Sequence, residues 1–321
     1  MTSLAAGRGP GAEELRLFLA RIGEAADRRE MAIWLVGGAL RDLLLGRETK
    51  DVDLAVEAGP AVALELARRL SALPGWSLEA RHERFGTATL AAPGGIRVDL
   101  AATRREEYPA PGALPVITGT ATIEDDLGRR DFTIHAMARR IGRHGLVGTT
   151  LDPFGGKADL AAKTLRLLHP KSLADDPTRA YRAVKYAVRL GFAWEKEFEK
   201  ALKAARSAGA FQALSGDRMR RGIEEVLSEG KWEEATGLAS GLQLFGDVLS
   251  GWAGPSSPSR KSSSADSVAA ASVDARVPVD SRPKPEEIWR RLLEPLPPPE
   301  RAAAAARLNF SRALRRAAGV A

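Results

Sequence analysis

The stretch "AIWLVGGALRDLLLGRETKDVDLAVE", residues 32–57, limits the fold more than any other part of the chain. "MAIWLVGG" is a short apolar run halted by two glycines, the pattern of a buried strand. "ALRDLLLGR" fits a short helix that ends at Gly46, and "KDVDLAVE" is a second run of strand length. A further helix follows in "GPAVALELARRLSAL", with Pro60 near its start, and then two strands, "FGTATLAA" and "GIRVDLAA", joined by the turn signal "PGG". Upstream, "AEELRLFLARIGEAADRRE" (Ala12–Glu30) repeats apolar residues at helical spacing. The expected unit is a small mixed α/β domain. From about Leu160 the pattern turns helical and basic, so the chain as a whole reads as α+β.

Charge and composition narrow the function classes. The 321 residues carry a net charge of +7 and no cysteine, which excludes disulfides and thiolate metal sites. Between Arg139 and Arg206 there are 15 Lys/Arg against 7 Asp/Glu. Such a block suits a polyanionic partner, because basic side chains displace counterions from phosphates; a solvated helical surface accounts for it equally well. Residues 253–285 are rich in Ser, Pro and Ala with little to bury, and are expected to form a disordered linker or long loop. No run approaches about 18 apolar residues, and the first ten residues lack a signal peptide's apolar core, so no membrane association and a cytoplasmic location are expected.

Alternation along a strand places Asp51 and Asp53 on one face, with Val52 and Leu54 toward the core. Adjacent carboxylates repel unless a cation lies between them, and Mg²⁺ takes carboxylate oxygens together with water and substrate phosphates. A solvent-facing polar edge, or two turn caps, explains a lone D-x-D as readily. In "IRVDLAA", Arg97 and Asp99 leave the face used by Ile96, Val98 and Leu100. If this strand pairs beside the first, Asp99 supplies the third carboxylate of a two-metal phosphoryl-transfer site. Gly37 and Gly38 would let backbone approach phosphates closely, and Arg41 could reach the same groups, although a helix-start ion pair explains Arg41 and Asp42 equally well. Pro177 fits a first helical position, which makes Asp176 a natural N-cap, with Arg179 and Arg182 along one side of that helix.

"LVGGALRDLLLGRETKDVDLAV" resembles the signature of the class II tRNA nucleotidyltransferase and bacterial poly(A) polymerase family, within the polymerase-β-like superfamily. "FGTATL" with "VDLAATRREEY", "IEDDLGRRDFTIHAMA", and "DPFGGKADLAAKTLRLLHPKSLADDPTRAYRAVKYAVRLGF" are similar to further blocks of that family, in its order, over residues 31–192. The resemblance implies a small mixed-sheet, palm-like nucleotidyltransferase head followed by an all-α neck and body. In this chain that means an N-terminal helical extension 1–30, a head 31–150, a neck 151–225 and a body or tail 226–321. It implies Asp51 and Asp53 as ligands of Mg²⁺, two ions in all, and Asp99 as the carboxylate that orients or activates an RNA 3′-hydroxyl. Gly37, Gly38 and Arg41 would meet the triphosphate, Arg129 and Arg130 would hold phosphate or ribose, and Asp131 would lie near the sugar. Asp176 with Arg179, and Arg182 beside them, would read the incoming base. Lys185 and Arg189 would face RNA.

The activity implied is template-independent addition of CMP, AMP or both from CTP and ATP to a tRNA 3′ end, with the acceptor arm as partner. A poly(A) polymerase is the alternative within the superfamily, and a non-catalytic nucleotide- or RNA-binding module the alternative outside it. Two residues depart from the family pattern. His135 stands where Asn is usual, and Lys185 stands where Arg is frequent, which keeps the charge but loses a bidentate contact. Beyond about residue 225 the resemblance fades. The four histidines, His82, His135, His144 and His169, show no paired metal-ligand spacing, so no appended His-Asp phosphohydrolase domain is expected.

Overall fold

A computed structural model describes residues 10–26, 31–47, 49–246 and 283–320. Most of the expected linker, residues 253–282, lies outside the described residues. The chain divides into two compact units, residues 1–107 with 116–161, and residues 108–115 with 162–321.

The first unit runs α1 (Pro10–Ala25), β1 (Ala32–Val36), α2 (Gly37–Leu44), β2 (Asp51–Glu57), α3 (Pro60–Ser71), β3 (Ser77–His82), β4 (Thr87–Ala92) and β5 (Ile96–Ala102). β6 (Arg104–Glu107), β7 (Val116–Thr120), α4 (Ile123–Gly128), β8 (Ala138–Gly142), β9 (Gly145–Leu146) and α5 (Gly156–Ala161) complete it. Seven strands form one mixed sheet in the order β3-β4-β5-β2-β1-β8-β9, while β6 and β7 pair separately. β2 and β5 are its parallel neighbours, connected through α3 and the β3–β4 hairpin. Their register sets Val52 beside Val98 and Leu54 beside Leu100, and these four side chains are buried. α3 packs against β4 and β5 and buries Ala63, Leu66, Ala67 and Leu70. Burial of one sheet face leaves the alternate residues of β2 and β5 to the other.

α2 starts at Gly37 itself, not after the glycine pair, and Gly37 takes φ +62, which L side chains rarely adopt. A Cβ there would also stand 3.0 Å from Asp53 Oδ2 and 3.1 Å from Arg130 Nη1. The turn is therefore reserved for glycine by two separate constraints.

The second unit contains β10 (Thr164–Leu165), α6 (Ser172–Asp175), α7 (Thr178–Leu190), β11 (Ala193–Trp194), α8 (Lys196–Ser207), α9 (Gly216–Leu227) and α10 (Trp232–Gly241). After the undescribed stretch come α11 (Pro285–Leu293), α12 (Pro298–Arg307) and α13 (Arg312–Ala317). α7 and α9 form its axis. They approach closely because Gly222 presents no side chain to Tyr181, whose hydroxyl donates to the Leu244 carbonyl at 3.3 Å. Trp289 of α11 is fully buried, lies 4.8 Å from the Phe310 ring and donates to Glu224 of α9 at 2.7 Å. The residues beyond 283 thus pack back onto α9. No helix among the described residues is long and apolar enough to cross a membrane.

A Cβ at Gly222 would lie 2.8 Å from Tyr181 Cγ. Alanine gains about 1 kcal/mol of helix propensity over glycine, but overpacking costs about 1–3 kcal/mol. Urea denaturation of Gly222→Ala should therefore show a net loss of stability.

Candidate active site

The parallel register places Asp51 beside Arg97 and Asp53 beside Asp99, on the face that the apolar residues leave. Thr89 of β4 is the next neighbour, and its hydroxyl donates to Asp99 Oδ1 at 2.6 Å. Arg97 donates Nε to Asp99 Oδ2 at 3.0 Å and Nη2 to Oδ1 at 3.2 Å. A polar row therefore crosses three strands, Thr89–Asp99–Asp53, with Asp51 exposed at the mouth of β2. The pairing of β2 with β5, conditional in the sequence, is what gathers these carboxylates.

Asp53 is the electrostatic centre of the row. Its Oδ2 accepts the Gly38 N–H at 3.2 Å, at the positive end of α2. Burial pushes its carboxyl above the ordinary 3.8, and Asp99 pushes the same way. Arg130 and the backbone N–H groups of Ala39 and Gly38 offset this only in part.

The loop after α4 supplies the arginine pair. Asp126 is buried, and its Oδ1 accepts Arg129 Nε and Nη2 at 2.9 and 2.7 Å while Oδ2 accepts Arg130 Nη2 at 3.0 Å. Burial alone would raise Asp126, but Arg130 and Arg129 overcome it and hold the carboxyl below its ordinary range. Arg129 also donates to Glu106 Oε1 at 2.9 Å. Two guanidiniums are thus fixed in orientation by one carboxylate, which the sequence did not single out. Asp131 accepts its neighbour's N–H, from Phe132, at 2.9 Å and contacts His135 Nδ1 at 2.8 Å.

Arg41 lies behind the glycine turn and not on its surface. It is 1% exposed, and its Nε and Nη2 donate to Asp42 Oδ1 at 2.9 and 2.7 Å. The helix-start ion pair exists, therefore, and it is buried.

In the second unit, Asp176 has extended backbone and accepts the Thr178 N–H at 3.0 Å and hydroxyl at 2.6 Å, with Pro177 in helical conformation behind it. It caps α7 and is also a charge hub. Its Oδ2 accepts Arg182 Nη2 at 3.2 Å, and Oδ1 accepts Arg218 Nη2 at 2.9 Å. Burial would raise its carboxyl, but Arg182, the Thr178 hydroxyl, Arg179 and Arg218 together hold it below the ordinary range. Arg179 is 2% exposed, donating to Ser172 Oγ at 2.5 Å and to the Tyr108 hydroxyl at 3.5 Å. Lys185 donates to Glu225 at 3.0 Å, and Arg189 Nε to Glu229 at 2.8 Å, so both tie α7 to the α9 side of the unit. Arg218, 42 residues from Asp176, was not foreseen in the sequence. It also donates to the Gly112 carbonyl at 2.6 Å, and no local pattern reports a contact of that span.

The donors offered by β2 and β5 are carboxylate oxygens alone, the hard-donor chemistry that Mg²⁺ takes. Among the described residues, no three His, Cys, Asp or Glu side chains close around one point to hold a metal ion by themselves. The set fits an ion that takes one or two carboxylates and completes its shell from substrate and water.

The head thus combines a seven-stranded mixed sheet with acidic alternation beside a glycine turn. The family model described as the poly A polymerase head domain matches residues 33–166. An A-adding tRNA nucleotidyltransferase of Geobacter sulfurreducens is 39% identical over 229 residues, 71% of this chain and 25% of that protein. A CC-adding tRNA nucleotidyltransferase of Deinococcus radiodurans is 42% identical over 156 residues, 49% of this chain and 40% of that one. The solved structure of a Thermotoga maritima CCA-adding enzyme complexed with tRNA superposes with a TM-score of 0.68 at 27% identity, covering 98% of this chain and 70% of that one. The chain belongs to the class II tRNA nucleotidyltransferase and poly(A) polymerase head-domain family. Such polymerase-β-like families are generally metal-dependent. The aligned stretch spans about a quarter of the Geobacter relative's length.

Asp53 yields a test of the electrostatics. A carboxyl raised on folding contributes its full stability below pH 3.8 and loses it as pH rises through the folded value. At pH 7 without metal, Asp53→Asn should thus melt at or above the wild-type Tm, the difference vanishing near pH 4. A variant that melts several degrees lower at pH 7 contradicts the assignment.

Proposed function

We propose that the chain is a template-independent nucleotidyltransferase that extends the 3′ end of tRNA with CMP, AMP or both, taken from CTP and ATP. The observation that carries this reading is the register of Asp53 beside Asp99, next to the Gly37–Gly38 turn. Relatives that add A and relatives that add CC both support the tRNA end as substrate, and leave the choice of nucleotide to experiment.

In the proposed reaction the 3′-hydroxyl oxygen attacks the α-phosphorus. A new P–O bond forms, the bond to the β-phosphate bridging oxygen breaks, and pyrophosphate leaves. Asp51 and Asp53 would hold Mg²⁺, which when bound supplies charge neutralisation at the attacking and leaving oxygens. Asp99, kept in place by Thr89 and Arg97, orients the 3′-hydroxyl and accepts its proton as the P–O bond forms. The Gly37–Gly38 turn gives the triphosphate room against backbone, with Arg41 charged behind it. Arg129 and Arg130, pre-set by Asp126, present fixed donors to phosphate or ribose oxygens.

Base choice falls to Asp176 and Arg179, with Arg182 beside them. Cytosine and adenine each offer an exocyclic amino donor next to an unprotonated ring nitrogen, so a carboxylate accepts from one and a guanidinium donates to the other. Uracil and guanine reverse that edge and would leave buried polar groups facing like partners, which rejects strongly. Asp176 stays ionised as this requires, its carboxyl held low by its arginines. The basic segment around Lys185 and Arg189 suits an RNA backbone recognised by shape and phosphate, although those two side chains are themselves paired with Glu225 and Glu229.

Two experiments test the proposal. With Mg²⁺ and labelled CTP or ATP supplied separately, tRNAs ending before C, after C and after CC should show incorporation on at least one. Addition of A to an unstructured oligonucleotide in preference to tRNA would make the protein a poly(A) polymerase, and no incorporation anywhere contradicts transfer altogether. Asp51→Ala should lower the transfer rate by about 10³-fold or more while tRNA binding persists. Asp176→Ala should cut discrimination against UTP and GTP at least about tenfold. Unchanged selectivity would reduce Asp176 to a helix cap.

A further inference from the structure

His135 joins two segments of the head behind the glycine turn. The imidazole is 5% exposed; its Nε2 lies 2.6 Å from Arg41 Nη1 and its Nδ1 lies 2.8 Å from Asp131 Oδ1. A guanidinium has five N–H donors, no acceptor, and keeps its proton in proteins. Nε2 must therefore be the acceptor, and the single ring hydrogen sits on Nδ1 and donates to Asp131. A doubly protonated ring would set N–H against N–H across 2.6 Å. The two contacts together define both the tautomer and the charge.

We infer that His135 is a positioning residue: as the neutral Nδ1–H tautomer it holds Arg41 behind the Gly37–Gly38 turn, and proton uptake by the ring frees that guanidinium and weakens nucleotide binding in acid. The inference rests on the nucleotidyl-transfer reading for its functional half only.

Arg41 is placed to transmit the effect. A Cβ built on Gly38 would stand 3.6 Å from Arg41 Nη2, 3.8 Å from Arg41 Nη1 and 3.6 Å from Asp53 Oδ2. The guanidinium thus sits directly beneath the backbone proposed to receive phosphates. Asp42 fixes its other edge through Nε and Nη2. Loss of the His135 contact leaves Nη1 without its imidazole acceptor and sets a second positive charge beside the guanidinium. At a buried site a like charge is screened little by salt.

The groups facing His135 come from each element around it. Asp131, from the preceding loop, favours protonation, whereas Arg41 from α2 and Arg130 from the arginine pair oppose it. Asp42 of α2 is committed to Arg41, and Asp159 of α5, which packs on the same turn, accepts the Thr133 hydroxyl at 2.6 Å. Burial outweighs Asp131 and pushes the imidazole below its ordinary 6.5. Geometry and titration therefore agree on a neutral ring. As the pH falls below 6.5 the unfolded chain takes up this proton before the folded one does, so stability drops first and the positioning is lost only at the lower pH where the folded ring itself is protonated.

The test uses the full chain with ¹⁵N-labelled histidine and the variants His135→Asn and His135→Ala. Asparagine keeps one acceptor and one donor but does not titrate. Long-range ¹H–¹⁵N spectra, with His135 assigned by its loss in His135→Asn, should show Nδ1 protonated and Nε2 bare at pH 7.5. In the same protein, affinity for CTP and ATP should weaken along an acid limb whose midpoint lies below pH 6.5 and coincides with protonation of the His135 ring in the same spectra. In His135→Asn it should change less than about twofold across that limb, and in His135→Ala it should be weak throughout. An Nε2–H tautomer, or an acid limb that persists in His135→Asn, overturns the positioning role. Absence of CTP and ATP binding at every pH, with the Nδ1–H tautomer in place, instead overturns the nucleotide-transfer reading and the acid limb with it.

Discussion

Parallel pairing of β2 with β5 is the constraint on which the head depends. One residue of slip in β2 would turn Val52 and Leu54 out of the core and Asp53 into it, away from Asp99. The apolar face therefore sets the register, and the register sets the carboxylates. Hydrophobic burial fixes the spacing of two like charges that would otherwise separate. The residual repulsion is visible in Asp53, which burial and Asp99 push toward its protonated form despite a helix N-terminus and Arg130. In the proposed transfer reaction, that unrelieved repulsion is what a cation and phosphates would neutralise.

Both units organise arginine through buried or half-buried carboxylates. Asp126 holds Arg129 and Arg130, Asp42 holds Arg41, and Asp176 holds Arg182 and Arg218. An arginine left to solvent samples many rotamers and loses that freedom on meeting a ligand, whereas a pre-set guanidinium has already lost it. The chain thus places its donors in advance, at the expense of burying ion pairs that contribute little to stability themselves. His135 extends the same logic with a group whose charge depends on pH.

The parts of this architecture legible in the sequence are those written in strong periodicity. β1, α2 and β2 followed from one apolar–glycine–apolar stretch, and β4 and β5 from alternation around "PGG". Asp99 could be assigned to the face of Asp53 because strand alternation has a period of two, yet only the structure supplies the pairing that makes it a neighbour. β3 was not foreseen, since all six of its residues are exposed on a sheet edge and "SLEARH" has no apolar alternation. The burial of Arg41 was equally hidden, because a charged residue one turn into a helix reads as surface until a buried acceptor for it is found. Besides the adjacent Asp42, a buried partner of Arg41 is His135, which lies 94 residues away. Asp176 was legible as a cap from Pro177, but its bond to Arg218 spans two helices and leaves no local trace.

The central claim is that Asp53 and Asp99 form one cation-dependent cluster because β2 and β5 pair in this register. Electron paramagnetic resonance of Mn²⁺, titrated onto the full chain with a non-hydrolysable CTP or ATP analogue, tests it most directly. The account predicts about two bound ions per chain in the wild type, and loss of tight binding in both Asp51→Asn and Asp53→Asn. Unchanged stoichiometry and affinity in either variant would contradict it.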